Sequence, residues 1–429
     1  MEPFELTASE AAARIRDGRL TSEALVRSCL EHSAAREPEI RAWLHLDPDQ
    51  SIRRAREMDK RGGSGPVYGI PFGVKDMIDT VDMPTTYNSP IFEGHQPAKD
   101  AACVATMKSR GAVLMGKADT VEFASFGRTA ATRNPAKLTH TPGGSSSGSA
   151  AAVADLQVPL AFGTQTGGSH IRPASFNGIY ALKPTWGAIS REGAKQYSPS
   201  FDTVGWYGRS VDDLGLVAEA FRLEGADSGA ASPEIGDIRV GVCKSPVWSA
   251  IEPAGEKALE TAADRLSKAG AKVSSFELPV EYDPLFDAHD TILRGEGRSS
   301  FLDIYLAEGH RLHPGLANHC EENKGVTMQD VVRAYDIVDA CRIRFGTFFD
   351  EMDVILTPAS PGFAPEGLGW TGNHIFNSIW TAVHAPCLAV PCIRWDNNLP
   401  VGVQFVAPRY RDADLIRICK ALDGAMQEK

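Results

Sequence analysis

The 429-residue sequence has eight cysteines but no pair at CxxC spacing. This scattering excludes a zinc ribbon or a redox pair, and small buried thiols are the expectation instead. Long apolar runs are also missing, because the longest, over residues 150–162, is interrupted by Asp155 and Gln157 and is too short to span a bilayer. The N-terminal residues lack a basic segment followed by an apolar one, so we expect no signal peptide and a cytoplasmic location.

The sequence has fewer positively charged than negatively charged residues. There are 44 Lys and Arg residues against 55 Asp and Glu residues, a net charge of −11. Proteins that bind nucleic acid or anionic membranes need clustered positive charge. We therefore expect neither partner, and the sequence leaves a homodimer open.

A nucleotide site is not expected either, since no GxxxxGK[ST] motif follows a strand and the glycine-rich segments 141–149 and 163–169 do not have GxGxxG spacing. What the sequence does contain is an alternation of helical patterns with short apolar strands. The segments 67–75, 112–115 and 158–162 have the composition of buried strands, and residues 101–111 have that of a helix. Such alternation predicts an α/β fold with helices on both faces of a sheet.

Glycine is in surplus, with 40 residues where average usage predicts about 30. Six of them lie in two segments rich in Ser and Thr, 141–149 and 163–169. The second segment directly follows a predicted strand, which is where open α/β sheets place their sites. Backbone N–H groups in both segments are therefore expected close to a ligand.

The first of these segments contains a GxSxG pattern at residues 144–148, which is typical of an α/β-hydrolase elbow. An elbow needs an apolar strand directly before the serine, and residues 133–141 do not form one, so this interpretation is disfavoured. The alternative is a serine nucleophile, Ser169, activated by a base other than histidine. The amides of Thr166, Gly167, Gly168 and Ser169 would then form an oxyanion hole.

Three motifs in order carry a resemblance to a known family: GIPFGVKD at 69–76, PGGSSSGSAAAVA at 142–154 and GTQTGGS at 163–169. Together they resemble the amidase signature family, and the similarity continues at 181–185, 202–205 and 399–404. The resemblance implies a large mixed sheet sandwiched between helices, no cofactor and no metal. It also implies amide hydrolysis through an acyl-enzyme, with Lys75 as base, Ser145 as a relay on a cis peptide bond, and Ser169 as nucleophile.

The chemistry of this triad is coherent. A lysine buried among apolar residues loses hydration, which lowers its pKa and lets the neutral amine act as a base. Ser145 would pass the proton between Lys75 and Ser169, and Ser146 is expected to supply a supporting hydrogen bond. A helix cap is the structural alternative for either serine before the helix.

The sequence departs from the common family pattern near the nucleophile. Gln165 replaces an aspartate, Ile171 replaces an arginine, and Arg172 follows one residue later. This version resembles the malonamidase-like branch, in which the arginine holds a substrate carboxylate through two parallel hydrogen bonds. Gln165 and His170 are further candidates for substrate contact, and a buried ion pair is the alternative role for Arg172. His170 is not expected to be the base, because adjacent side chains on an extended segment point to opposite faces.

The resemblance also implies that residues 1–429 form one domain. Its predicted parts are a catalytic core at 60–225, a linker at 225–233, a mainly helical substrate-side insertion at 245–347, and returning strands of the same sheet at 348–429. The predicted substrate is a small-molecule amide, with ureides and carbamates (a urethanase activity) open. The alternative is an ammonia-generating glutaminase subunit of a tRNA-dependent amidotransferase.

Other candidate groups carry weaker signals. His310, His313, His319 and Cys320 are the only metal-like cluster, but Pro314 and Gly315 interrupt it, so a polar loop is preferred. Four aromatic residues are candidates for a substrate pocket, with core packing as the default for each. They are Phe286, Trp370, Phe376 and Trp380.

Overall fold

The computed structural model describes residues 2–227 and 229–427; Ser228 of the predicted linker lies outside the described residues. The strands are β1 (Trp43–Leu46), β2 (Pro71–Lys75), β3 (Val113–Ala118), β4 (Leu160–Gln165), β5 (Tyr180–Lys183), β6 (Thr203–Gly208), β7 (Arg239–Cys243), β8 (Lys272–Phe276), β9 (Val354–Pro358), β10 (Cys387–Arg394) and β11 (Pro400–Val406).

The helices begin with a group that packs around the first strands: α1 (Ala8–Arg16), α2 (Ser22–Ile40), α3 (Pro48–Arg61), α4 (Ala102–Ser109), α5 (Ser147–Ala154), α6 (Ile171–Asn177) and α7 (Val211–Ala220). The later helices are α8 (Pro253–Lys268), α9 (Leu285–Glu308), α10 (Pro314–Glu321), α11 (Met328–Phe345), α12 (Ile375–Ala382) and α13 (Asp412–Met426).

The strands of residues 2–227 and 229–427 form one eleven-stranded mixed sheet, in the order β1-β3-β2-β4-β6-β5-β10-β11-β9-β7-β8. The pairings of β2 with β3 and β4, and of β7 with β8 and β9, are parallel; the others are antiparallel. This confirms the predicted α/β fold with a mixed sheet. The predicted returning strands are β9, β10 and β11, which lie in the same sheet as the first six.

The parallel pairing of β2 with β4 positions the site. Parallel strands have their carboxyl ends at the same edge of a sheet, so Lys75, the last residue of β2, and Gln165, the last of β4, lie at one edge. Helix α5 packs closely on these strands because it consists almost entirely of Ser, Gly and Ala. A Cβ on Gly148 would stand 2.1 Å from the carbonyl oxygen of Ala42, so only glycine fits there.

The predicted helical segment at 245–347 contains helices α8 to α11, and also strand β8, which the sequence reading missed. β8 lies at the edge of the sheet with several exposed residues, so it lacks the apolar run of a buried strand. A hydrophobic cluster joins this segment to the loops that follow β2 and β3, including Met77, Phe123, Leu293 and Phe301. Helix α9 is thereby held beside the edge where Lys75 lies.

All eight cysteines are buried, as expected for small core residues. Among the helices of the described residues, none has both the length and the apolar composition needed to cross a membrane.

Candidate active site

The side chain of Lys75 is completely buried at the end of β2. Its Nζ donates hydrogen bonds to Ser145 Oγ and Thr164 Oγ1, both at 2.7 Å. Among the described residues the amine forms no ion pair. Burial lowers the pKa of Lys75 well below its ordinary value of 10.5, and the charge of Asp202 offsets this only in part.

Ser145 and Ser146 lie just before helix α5 and have different partners. The peptide bond between Gly144 and Ser145 is cis. Ser146 makes no capping hydrogen bond to α5; its Oγ donates to the Thr164 carbonyl (3.2 Å) and accepts from the Thr164 amide (3.1 Å). Ser146 therefore ties the serine segment to Thr164 of β4, the same residue whose hydroxyl accepts from Lys75.

The loop at 166–169 turns its backbone toward a cavity of about 530 Å³, which Ser145 and Ser169 both line. Among the hydrogen bonds of the described residues, none is donated by the four amide N–H groups of this loop. Ser169 is half-buried, so its hydroxyl is reachable from the cavity. Backbone N–H groups without acceptors beside a cavity are suited to hold a negatively charged oxygen.

Several side chains hydrogen-bond to this loop or to the residues next to it and hold it in place. Gln165 accepts from the amides of His170 (3.0 Å) and Ile171 (2.9 Å) and donates to Thr381, which in turn donates to the Gly167 carbonyl. Gln165 thus orients the start of α6 and lies outside the cavity wall.

Thr166 is held on both its side chain and its backbone. Its hydroxyl donates to Asp202 Oδ1 (2.6 Å), and its carbonyl accepts from His289 Nε2 of α9 (2.8 Å). Burial lowers the pKa of His289 to about 4, so the ring is neutral at pH 7. Asp202 also accepts from two backbone amides, and burial raises its pKa to about 6.

Arg172 lies on the first turn of α6 and reaches the cavity with its guanidinium buried. Nη2 donates to the carbonyl of Gly144 and to Thr371 Oγ1, whereas Nε and Nη1 have no hydrogen-bond partner among the described residues. Burial lowers the pKa of Arg172 to about 10, so it remains charged at neutral pH. Within the described residues it forms no ion pair, which argues against the buried ion pair considered as its alternative role.

His170 is not at the cavity. The segment expected to be extended is a helix from Ile171, and His170 is its N-cap residue. The ring is fully buried against Tyr207 (centroids 4.0 Å apart), with Nε2 bonded to the Trp206 carbonyl. Its position gives it a part in packing beneath the loop, and the predicted substrate contact has no geometric support.

Of the weaker candidates named from the sequence, some line the cavity and others lie elsewhere. Trp370 lines the cavity and is 60% exposed, whereas Phe376 and Trp380 are buried in the core and Phe286 is packed against it. His313 caps α10, and within the described residues no three His, Cys, Asp or Glu side chains are grouped to hold a metal ion.

Among the cavity residues that the sequence did not single out are Asp290, Arg294, Thr371 and His374. Each is distant in sequence from the motifs. No local pattern marks them, because only the packing of α9 and of the segment before α12 brings them to the cavity.

Known proteins resemble the chain over nearly its whole length. A glutamyl-tRNA(Gln) amidotransferase subunit from Chloroflexus aggregans is 32% identical over 463 aligned positions, covering 96% of this chain and 95% of the relative. A solved structure from a vestigial protein complex, reported to reveal the origins of an s-triazine catabolic enzyme, superposes with a TM-score of 0.88 at 26% identity and covers 98% of both chains. Peptide amidase from Stenotrophomonas maltophilia superposes with a TM-score of 0.81 at 27% identity, covering 98% of this chain and 97% of that one.

The fold and these matches define a hydrolase that acts on the C–N bonds of amides. The amidase family model matches residues 24–416, and the chain belongs to the amidase signature family. The predicted recognition of the family is confirmed.

Proposed function

We propose that this protein hydrolyses a small amide that carries a carboxylate, with Ser169 as nucleophile, Ser145 as proton relay and Lys75 as base. The observation that carries the proposal is the environment of Lys75. A buried amine held by two hydroxyl groups, and by no carboxylate, favours its neutral form. A neutral amine in contact with Ser145 is placed to accept a proton.

The first half of the reaction forms the acyl-enzyme. Ser169 Oγ attacks the substrate carbonyl as its proton passes to Ser145 Oγ, and the proton of Ser145 passes to Lys75 Nζ. The carbonyl oxygen becomes negatively charged and accepts from the amides of the 166–169 loop. The tetrahedral intermediate then collapses, and the leaving nitrogen takes a proton back from Lys75 through Ser145 and departs as ammonia or an amine.

The second half uses water. A water molecule gives its proton to the same relay and attacks the ester carbonyl, and Ser169 leaves as an alcohol with the proton restored from Ser145. The product is a carboxylic acid, and all three side chains return to their starting protonation states.

Arg172 supports the substrate class. Its buried Nε and Nη1 carry three hydrogens without acceptors among the described residues, and a substrate carboxylate could accept charge-assisted hydrogen bonds from these donors. Because Arg172 lies on the helical turn that directly follows Ser169, the carboxylate belongs to the acyl part of the substrate. Gln165 and His170 are assigned to positioning the loop.

A second candidate function is favoured by the named relatives. The Chloroflexus aggregans protein is one component of a glutamyl-tRNA(Gln) amidotransferase, and glutamine is itself an amide with a carboxylate. In that case the chain would produce ammonia for a partner protein. Glutaminase activity that depends on a co-purifying protein would favour this candidate, and carbamates and ureides remain alternative substrates of the same catalytic machinery.

The experiment compares malonamate with propionamide, in which a methyl group replaces the carboxylate. Ser169→Ala is expected to abolish turnover of both while the circular dichroism spectrum is retained. Arg172→Ala is expected to lower kcat/KM about a hundredfold on malonamate, because about 3 kcal/mol of charge-assisted hydrogen bonding is lost, and much less on propionamide.

The outcomes are distinct. Full activity of Ser169→Ala would rule out the proposed nucleophile. Equal losses on the two substrates in Arg172→Ala would mean that Arg172 supports the fold through Gly144 and Thr371 and does not select a carboxylate.

A further inference from the structure

Asp290 and Arg294 form an ion pair on the cavity wall that the proposed mechanism leaves without a role. They lie one turn apart on α9, with Arg294 Nε 2.8 Å from Asp290 Oδ2. Both line the same cavity as Ser145 and Ser169. The side chain of Arg294 is only 9% exposed and its guanidinium carbon lies 5.3 Å from the centroid of the Phe126 ring, so the pair is held in place.

The position of this pair relative to the 166–169 loop defines which part of a substrate it can reach. His289, the residue before Asp290, is bonded to the carbonyl of Thr166, so α9 approaches the loop at its first residue. Arg172 lies on α6, the helix that begins after the last residue of the loop, and it lines the same cavity. With an acyl carboxylate held by Arg172 beyond one end of the loop, the leaving group would extend toward α9 at the other end.

The pair also has unused hydrogen-bonding capacity. Among the hydrogen bonds of the described residues, Arg294 Nη1 and Nη2 donate none and Asp290 Oδ1 accepts none. A donor and an acceptor held side by side match a planar group that has C=O and N–H side by side. An apolar leaving group would cover these atoms without bonding them, at a cost in free energy.

We infer that, given the proposed function, the leaving group of the substrate carries an amide or ureido group. Arg294 donates to its carbonyl oxygen, and Asp290 accepts from its N–H. The pair is thus a specificity determinant that lies outside the three motifs.

Two N-substituted malonamic acids of equal size test this inference. One has a carbamoylmethyl substituent and releases glycinamide; the other has an isobutyl substituent and releases isobutylamine. The quantity measured is kcat/KM for the carbamoylmethyl substrate divided by kcat/KM for the isobutyl substrate. This ratio is compared between wild type and variants, because intrinsic differences between the two leaving groups cancel in that comparison.

Asp290→Asn and Arg294→Leu are each expected to lower the ratio at least about tenfold relative to wild type, as expected when a charged hydrogen-bonding partner is lost. The matched control is Asp339→Asn, which breaks the ion pair with Arg342 on α11 outside the cavity. Its ratio is expected to equal that of wild type.

An unchanged ratio in both Asp290→Asn and Arg294→Leu would overturn the inference. Unsubstituted malonamate separates this result from failure of the proposed function. If wild type turns malonamate over and Ser169→Ala does not, an unchanged ratio overturns the leaving-group inference alone. Turnover that persists in Ser169→Ala, or no turnover of any of the three substrates by wild type, overturns the proposed function and the inference together.

Discussion

Two lysines on neighbouring parallel strands are fully buried, but their surroundings differ. Lys75 ends β2, and Lys117 lies in β3 beside Val74. Lys117 Nζ is 3.2 Å from Asp76 Oδ1 and also donates to Thr85 and to backbone carbonyls. Lys75 Nζ has the hydroxyl groups of Ser145 and Thr164 as its partners.

This difference separates a structural lysine from a candidate base. Burial lowers the pKa of both amines, but the charge of Asp76, in an ion pair with Lys117, counteracts the effect there. A carboxylate in contact stabilises the ammonium form, and without such contact the neutral amine is favoured. Burial of a lysine alone is therefore a weak sign of catalysis, and the chemistry of its partners decides.

Replacing each lysine by methionine should produce different defects, a loss of activity at Lys75 and a loss of stability at Lys117. These are the largest effects we expect. Lys75→Met should lower kcat/KM about 10³- to 10⁴-fold, because the base is lost, without a loss in the free energy of unfolding. Lys117→Met leaves the Asp76 carboxylate buried without its partner, which should lower the free energy of unfolding by about 3–5 kcal/mol. Chemical denaturation and amide hydrolysis measure the two quantities.

The contrast fails if both variants lose stability to the same extent while Lys75→Met remains active. In that outcome both lysines would be structural, and another group would have to act as base.

A smaller pair of effects is expected at the hydroxyl partners. Thr164→Val removes one contact of Lys75 and should lower kcat about tenfold by loosening the orientation of the base. Thr85→Val removes a contact of Lys117 and should cost about 1–2 kcal/mol of stability with kcat unchanged. An equal loss of kcat in the two variants would contradict the separate roles of the two lysines.

Much of this site could be predicted from the sequence because its parts lie in short, recognisable segments. Strands β2 and β4 begin with apolar residues, and polar residues appear only at their ends, at Lys75 in β2 and at Thr164 and Gln165 in β4. Of the six glycines in the two Ser- and Thr-rich segments, two line the cavity, Gly167 and Gly168; the others, Gly143, Gly144, Gly148 and Gly163, pack closely against other parts of the chain. The local signals and the family motifs agreed for these segments.

Other features depended on packing between distant parts of the chain. The edge strands β1 and β8 lack the apolar run of a buried strand, and the short helix α6 lies where an extended segment was expected. His289, Asp290 and Arg294 are ordinary residues of a charged helix in the sequence. Only the contact of α9 with the 166–169 loop gives them a position at the site.

The most direct test of the account is the titration of Lys75 by NMR, in protein labelled with ¹³C at lysine Cε and assigned by the Lys75→Met variant. We predict that the Lys75 signal titrates well below the ordinary lysine pKa of 10.5 and that kcat/KM rises with pH over the same range, as the amine loses its proton. Between the folded and unfolded pKa values the unfolded chain binds more protons, so stability should also rise with pH there, and this contribution should vanish in Lys75→Met. A Lys75 signal that stays in the ammonium form up to pH about 10, as an ordinary lysine would, contradicts the assignment of Lys75 as the base.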